Sequence, residues 1–297
     1  MNGEDKPSYQ LRGTSIPAPQ LPAGLYVVAT PIGNLGDITL RALETLAGCS
    51  IIACEDTRKS GILLKRFAID RPKVSYTEHN ANTRGPDLLR QISQGAAVAL
   101  ISDAGTPLVS DPGFRLVQQA AEQGLPVIPL PGASAPLAAL VASGLASDDF
   151  RFCGFLPSKA QARRQRLNAL AGQSYTLIFF ESPNRLKVTL AAMAEEFGGE
   201  RLVVIARELT KMHESFYRGS LEAVIQQIDA LDKVRGEIVI VVEGASATPV
   251  TEEAVEAQLR AALETMKTKQ AAAFVANSNG LSKQQLYKQA LALKDDL

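Results

Sequence analysis

The sequence predicts two consecutive α/β domains followed by a small helical appendage. Three observations lead there. From Leu25 onward, short apolar β-rich runs alternate with patterns at helical spacing, a second series of the same kind begins near residue 150, and after residue 244 only helical patterns remain. The expected segments are a disordered leader over 1–23, an N-terminal α/β domain over 24–147, a second α/β domain over 148–246 and a helical domain over 247–297.

Taken in order, the leader MNGEDKPSYQLRGTSIPAPQLPAG is polar and Pro-rich and lacks the apolar core of a signal peptide. LYVVAT (25–30) reads as a strand ending in the turn PIGNLGD, and ITLRALETLAG follows as a helix. SIIACE (50–55), KVSYT (73–77), AAVALIS (96–102) and PVIPL (126–130) supply four further strands, with a helix over GFRLVQQAAEQG between the last two. PGASAPLAALVASG closes this half, and LASDD near 145–149 reads as the hinge. Strands alternating with helices point to a mostly parallel sheet with helices on both faces. The second series runs RFCGFLP, QARRQRLNALAG, YTLIFFES, NRLKVTLAAMAEEFGG, RLVVIARELT and EIVIVVEG. The remainder is helical and broken once, at NSNG.

Composition excludes several classes. Basic and acidic residues number 31 each, so no global field announces a polyanionic or membrane partner. Any nucleic-acid grip has to be local. Three cysteines (Cys49, Cys54 and Cys153) without a CxxC pair, in a chain with only His79 and His213, suggest reduced cytoplasmic thiols rather than a disulfide framework or a zinc site. No run approaches the roughly 18 apolar residues of a membrane span.

In parallel α/β sheets ligands sit beyond the carboxyl ends of the strands. Four conspicuous loops leave such ends here: PIGNLGD (31–37), EDTR (55–58), DAGTPLVSDPG (103–113) and PGASA (131–135). Neither G-x-G-x-x-G nor G-x-x-x-x-G-K-[ST] occurs, which removes the familiar pyrophosphate and P-loop sites. Apart from EDTR these loops contain no Lys or Arg, and loops with Asp and Pro but no cation suit a ligand without phosphate. Carboxylates beside them favour hydroxyls or positive charge, and an adenosyl sulfonium compound offers both. Asp103 and Asp111 also fit the plain role of turn residues bonding local backbone.

GTPLVSDPG followed by PLPGASA resembles the glycine-proline and PG-x-S-A loops of the tetrapyrrole methylase family. More narrowly, ATPIGNLGDIT, CEDTR, ISDAGTPLVSDPG, GFLP, FFESPNRL and ARELTK are similar, in matching order over about 24–243, to the branch of that family acting on small-subunit ribosomal RNA. The resemblance implies two α/β domains with a methyl-donor cleft between them, S-adenosyl-L-methionine as donor, and methylation of a cytidine ribose 2′-oxygen in 16S rRNA or an assembled 30S subunit. It also implies a homodimer. By the same resemblance Gly105, Thr106, Pro107 and Val109 line the donor with Asp103 and Ser110 beside it, Ser134 and Ala135 face the adenosyl group, and Pro31 closes the floor. Phe180, Gly236 and Glu237 complete the pocket from the second half. One departure stands out: Gly105-Thr106-Pro107 replaces the Gly-Asp-Pro of many small-molecule members, so a carboxylate contact there does not carry over.

A 2′-hydroxyl is a poor nucleophile until its proton leaves, so a base or an oxyanion-stabilising cation is useful. Lys211 and Glu181 are the expected pair nearest the acceptor, with Arg58 positioning a phosphate. His213 reads as solvated. For RNA, the most one-sided stretch runs from Arg151 to Tyr175 without an acidic residue and holds Lys159, Arg163, Arg164 and Arg166, with Arg185 following in the next motif. Six acids balance six bases over 251–297, so charge does not mark the tail as a grip. Two alternatives remain open: a tetrapyrrole (precorrin-type) methyltransferase acting on a ring carbon, and a non-catalytic RNA-binding or assembly protein.

Overall fold

Five parallel strands, β3 (Gly24–Val28), β4 (Ile51–Cys54), β5 (Lys73–Ser75), β6 (Ala97–Ile101) and β7 (Val127–Leu130), form the first sheet of this computed structural model, in the order β5-β4-β6-β3-β7. The structure describes residues 7–246, 252–279 and 281–295. Strand β6 is buried along its whole length, as a central parallel strand with both faces covered must be. One face packs on α1 (Leu40–Gly48) and α2 (Thr57–Arg66), where Leu43, Leu46 and Leu64 meet Val28, Ile52 and Ile101. The other face packs on α3 (Ala81–Ser93) and α4 (Phe114–Glu122) through Leu88, Ile92 and Leu116. Thr39 and Asp56 cap α1 and α2, each accepting a backbone N–H of the first turn.

The leader departs from the expected disorder. Ser8–Leu11 (β1) and Thr14–Pro17 (β2) make an antiparallel hairpin. Its two-residue turn puts Arg12 at φ 50° and Gly13 at φ 84°, the left-handed pair whose twist matches that of the strands. Tyr9 is 2% exposed within the first core, and Gln10 N–H donates to Phe67 O at 2.7 Å. An apolar residue at every second position of YQL, with Ile16 opposite Tyr9, gave this short hairpin a face to bury.

The second sheet is mixed, unlike the parallel first one. Strands β8 (Phe150–Phe155), β9 (Thr176–Glu181), β10 (Leu202–Arg207), β11 (Ser215–Ser220) and β12 (Ile238–Val242) lie in the order β11-β10-β12-β9-β8. Only β8 and β9 run parallel; the other three pairings are antiparallel. Strand β11 returns directly from β10, whereas a parallel neighbour needs a crossover helix. Helices α6 (Ala160–Ala171), α7 (Leu186–Phe197) and α8 (Leu221–Asp229) cover one face around Leu167, Phe179, Leu190 and Val224.

The opposite face is covered by α5 (Ala135–Ser143), a helix that follows the last strand of the first sheet. Its Ala139 and Leu140 pack with Ile178, Val204, Val239 and Val241, and Ile32 joins them. The two sheets therefore belong to one compact unit, Met1–Gly244; the second unit is Ala245–Leu297. That second unit holds α9 (Glu252–Thr265), α10 (Thr268–Asn279) and α11 (Lys283–Asp295) around Leu259, Val275, Leu286 and Ala290. A break after Thr265 joins the expected one after Asn279. No helix among the described residues is long and apolar enough to cross a membrane.

Cys49 and Cys54 are 1% and 0% exposed, and burial pushes the Cys49 thiol up to about 11. Thiol titration of the native protein near pH 8 is expected to reach only Cys153, with Cys49 and Cys54 reacting after denaturation. Rapid modification of all three in the folded protein would contradict this packing.

Candidate functional site

The loops beyond β3, β6 and β7 are stitched to one another. Thr30 and Gly105 exchange two backbone hydrogen bonds of 2.8 and 2.9 Å, and Thr106 Oγ1 donates to Ala133 O at 3.1 Å. Within 105–113 the chain takes positive φ four times, at Gly105 (78°), Leu108 (74°), Ser110 (63°) and Gly113 (132°). For Leu and Ser that region is costly, and such residues gather where surrounding structure holds a loop in a functional shape.

These loops form one wall of a cavity of about 380 Å³, and the ends of β9 and β12 form the other. The size suits a small ligand. Gly105, Thr106, Val109, Ser110, Ser134 and Ala135 line the first wall; Phe180, Gly236 and Glu237 line the second. All nine were expected at the donor. Three other expected residues are absent from the lining. Pro107 is buried beneath its loop, and Ile32 rather than Pro31 reaches the surface of the cavity. Asp103 is held elsewhere: its carboxylate accepts Lys59 Nζ at 2.7 Å and Asp56 N–H at 3.1 Å.

Sequence reasoning left several wall residues out of the site. Asp111 is the most consequential, a carboxyl that burial pushes above the usual range; the Ser102 hydroxyl works against this shift and Asp103 with it. Its signal was present in SDPG, but Asp103 and Asp111 were equivalent as letters. Phe155 lines the cavity as well, and Ile238, Val239 and Leu209 add apolar wall. No lysine or arginine is in the lining. Ser134 is the N-cap of α5 yet makes no side-chain cap hydrogen bond, so its hydroxyl is available beside the first turn of that helix.

Lys211 does not line the cavity but is tied to a residue that does. Its Nζ donates to Glu208 Oε1 at 2.8 Å and lies 3.2 Å from Glu237 Oε2. Glu208 is fixed in turn, because Glu237 N–H donates to its Oε1 at 2.9 Å. Burial works against the charge on Lys211, but the two carboxylates outweigh it and hold the ammonium above the usual lysine range. Hydrogen bonding from Lys211 pulls the Glu208 carboxyl down. The first half presses on this group: a Cβ on Gly33 would lie 2.5 Å from Lys211 Cγ and 2.9 Å from Thr210 Oγ1. Only a residue without a side chain fits there. Glu208 and Thr210 both sit at positive φ, so the 207–214 loop is itself strained.

Glu181, the other half of the expected pair, is on the cavity wall but 3% exposed. Its oxygens accept Thr189 Oγ1 at 2.6 Å and Ser182 N–H at 2.8 Å, and Arg185 Nε lies 3.5 Å away. Arg58 stands apart. It is outside the lining, with a guanidinium 89% exposed against Asp56, whose carboxyl it holds down at about 2.

The expected RNA contacts divide similarly. Lys159 is exposed at the N-cap of α6, and Arg166 is half-buried. Arg163 is buried, so the structure removes it from the outer surface: residue 163 falls on the inward side of α6 with Leu167 and Leu170. Arg164 pairs with Glu195 at 2.9 Å and Glu196 at 3.3 Å. Arg185 donates to Leu156 O at 2.7 Å and Pro157 O at 3.2 Å, bracing the loop after β8.

Comparison with known proteins adds an independent line. The tetrapyrrole (corrin/porphyrin) methylases match residues 24–225, and the RsmI C-terminal HTH domain matches 249–294. The ribosomal RNA small subunit methyltransferase I of Mesorhizobium japonicum is 53% identical over 282 residues, 95% of this chain and 96% of that protein. The protein of the same name from Haemophilus influenzae is 46% identical, covering 90% and 96%. Among solved structures, a diphthine synthase superposes with TM-score 0.57 at 15% identity, over 74% of this chain and 89% of its own. A Thermus thermophilus uroporphyrin-III C-methyltransferase complexed with S-adenyl homocysteine gives 0.52 at 20% identity, over 73% and 96%. The solved structures establish the fold; the sequence relatives, similar over nearly the whole length, establish more: the chain belongs to the ribosomal RNA small subunit methyltransferase I family, within the tetrapyrrole methylases.

Proposed function

We propose that this chain transfers a methyl group from S-adenosyl-L-methionine to the ribose 2′-oxygen of a cytidine in 16S rRNA, in the cytoplasm. The cavity wall carries the reading. It has carboxylates (Asp111, Glu181 and Glu237), apolar surface and no cationic side chain, which suits an uncharged purine, ribose hydroxyls and a sulfonium, and offers no anchor for phosphate. The names of the relatives supply the substrate class, and the motif series supplies the atom and the nucleoside. The test is to incubate the protein with labelled donor and small subunits from cells lacking it, then digest the RNA. A single 2′-O-methylated cytidine is the expected product; donor binding with no label in RNA overturns the reading.

Gly105, Thr106 and Val109 would hold the donor from one side and Phe180, Ile238 and Val239 from the other, with Ser134 at a polar end. When bound, the donor supplies an electrophilic methyl group on a positively charged sulfur. The protein's part is alignment and proton handling. Lys211, held charged by Glu208 and Glu237, is no base at neutral pH; it serves as a fixed cation beside the acceptor oxygen. Glu181 stands on the second wall itself, where Lys211 reaches only through Glu237, and it fixes Arg185. Asp111 is the wall carboxylate whose burial raises its proton affinity, which suits a base that takes a hydroxyl proton.

Replacing Lys211 by Ala is expected to lower kcat by about 10²–10³, the usual loss for one oriented stabilising group, with donor affinity unchanged. Gly33→Ala should give a smaller loss of the same kind, because it displaces the Lys211 stem. A loss confined to donor binding in either variant would move Lys211 out of the acceptor side. The Asp111 role has a pH signature. Activity needs the ionised form, so kcat should fall with acidification along a limb above the roughly 3.9 of ordinary aspartate. Asp111→Asn should lower kcat by about 10²–10⁴ and abolish the limb; an unchanged limb contradicts the assignment.

The homodimer belongs to the same proposal. Leu137 and Val141, one turn apart on α5, are 49% and 79% exposed, an apolar pair that a second copy would cover. Sedimentation should give a dimer for the parent and a monomer for Val141→Asp; a monomeric parent rejects it.

A further inference from the structure

We infer that Phe155 is a stacking platform for the nucleobase of the acceptor nucleotide, an unpaired pyrimidine presented at the mouth of the cavity. The inference rests on the RNA-methylating reading above and extends it to how the target is held. Phe155 lines the cavity, yet the residue is 56% exposed. An aromatic ring left in water on the wall of a binding site is a surface waiting for a flat partner.

The backbone aims it there. The β8–β9 register shifts between Phe152 and Phe155, and Gly154 within that irregularity sits at φ 66°. Bulges of this kind occur beside active sites and redirect the following side chain. The ring is then held from behind. Phe180 lies 5.5 Å away at 57°, and Phe152 packs edge-on against Phe180 at 4.9 Å. Arg185 fixes the next two carbonyls, Leu156 O and Pro157 O. The platform is therefore rigid before any ligand arrives.

The chemistry of the surroundings favours the acceptor over the donor. Phe180 sits deeper, packed against both Phe152 and Phe155, and serves the enclosed part of the cavity, whereas Phe155 forms its rim. Four residues on stands exposed Lys159, at the start of the helix that carries Arg166, so a base on Phe155 has cations nearby for the flanking phosphates. An unpaired nucleotide has lost a stacking neighbour, and an aromatic side chain replaces it while the ribose is presented to the cavity.

The chain contains no tryptophan. Phe155→Trp therefore places the chain's single tryptophan at the position in question, excited selectively over the six tyrosines. With S-adenosylhomocysteine present, a single-stranded oligocytidine should quench it, while S-adenosylhomocysteine alone should not. In parallel, Phe155→Leu should raise KM for small subunits about tenfold, near the lower end of what one base–aromatic stack contributes. Phe155→Tyr should restore KM to within about twofold of the parent, with donor affinity equal in all three proteins. Quenching by S-adenosylhomocysteine alone would give the ring to the donor and overturn the inference. So would a Leu variant whose KM matches the parent. Quenching by RNA in a protein whose parent transfers no methyl group would leave the platform standing and reject the RNA-methylating reading instead.

Discussion

The seat of α5 on the second sheet is the contact from which the rest of the site follows. The helix belongs by sequence to the first sheet, but its buried face lies against β9, β10 and β12. APLAALVAS carries no charge, so nothing on it resists desolvation on either side. Burial of Leu140 is worth roughly 1.5–3 kcal/mol by area, and its placement matters more than its size. It fixes the start of the helix, and with it Ser134 and Ala135, opposite the ends of the second sheet. Without it the two sheets would be beads on a string; with it they are the two walls of one cavity.

Charge is arranged around that cavity rather than in it. Lys59 neutralises Asp103, Arg58 neutralises Asp56, and Lys211 sits between Glu208 and Glu237. Each of these three cations already has a carboxylate. The wall itself keeps its carboxylates without cations in the lining, which is why a positively charged or neutral ligand is favoured there and a phosphate is not. Lys211 is the exception in position, because Glu237 joins the ion pair to the wall.

How much of this was legible follows from what each signal depends on. The first sheet was readable because a buried parallel strand is a run of apolar letters and each loop is a cluster of turn-formers. The loops that line the cavity were readable for the same reason, whereas the expectation that Gly105, Thr106, Val109 and Ser134 face a ligand came from the family resemblance. The hairpin at 8–17 was hidden by prolines around it and by strands of only four residues. Strand β11 was hidden because SFYRGS is polar and its burial is partial. Parallel and antiparallel neighbours do not differ in letters once both faces are covered, so the strand directions of the second sheet were not legible. Arg163 and Asp103 failed differently: which way a charged side chain faces is decided by helix phase and by partners 44 or more residues away, as for Lys59 with Asp103.

The loop over 105–113 has one more consequence. Its positive-φ residues and its bonds to Thr30 and the 131–135 loop hold it in shape through the fold alone. A ligand meeting such a wall does not have to freeze it, so little conformational entropy is lost on binding and the contacts made appear almost undiminished in affinity. The corresponding loss was taken earlier, when the chain folded, as backbone held in conformations that leucine and serine disfavour. Stability in this region and affinity for its ligand are therefore opposed: relaxing Leu108 or Ser110 into an ordinary turn would steady the fold and loosen the grip.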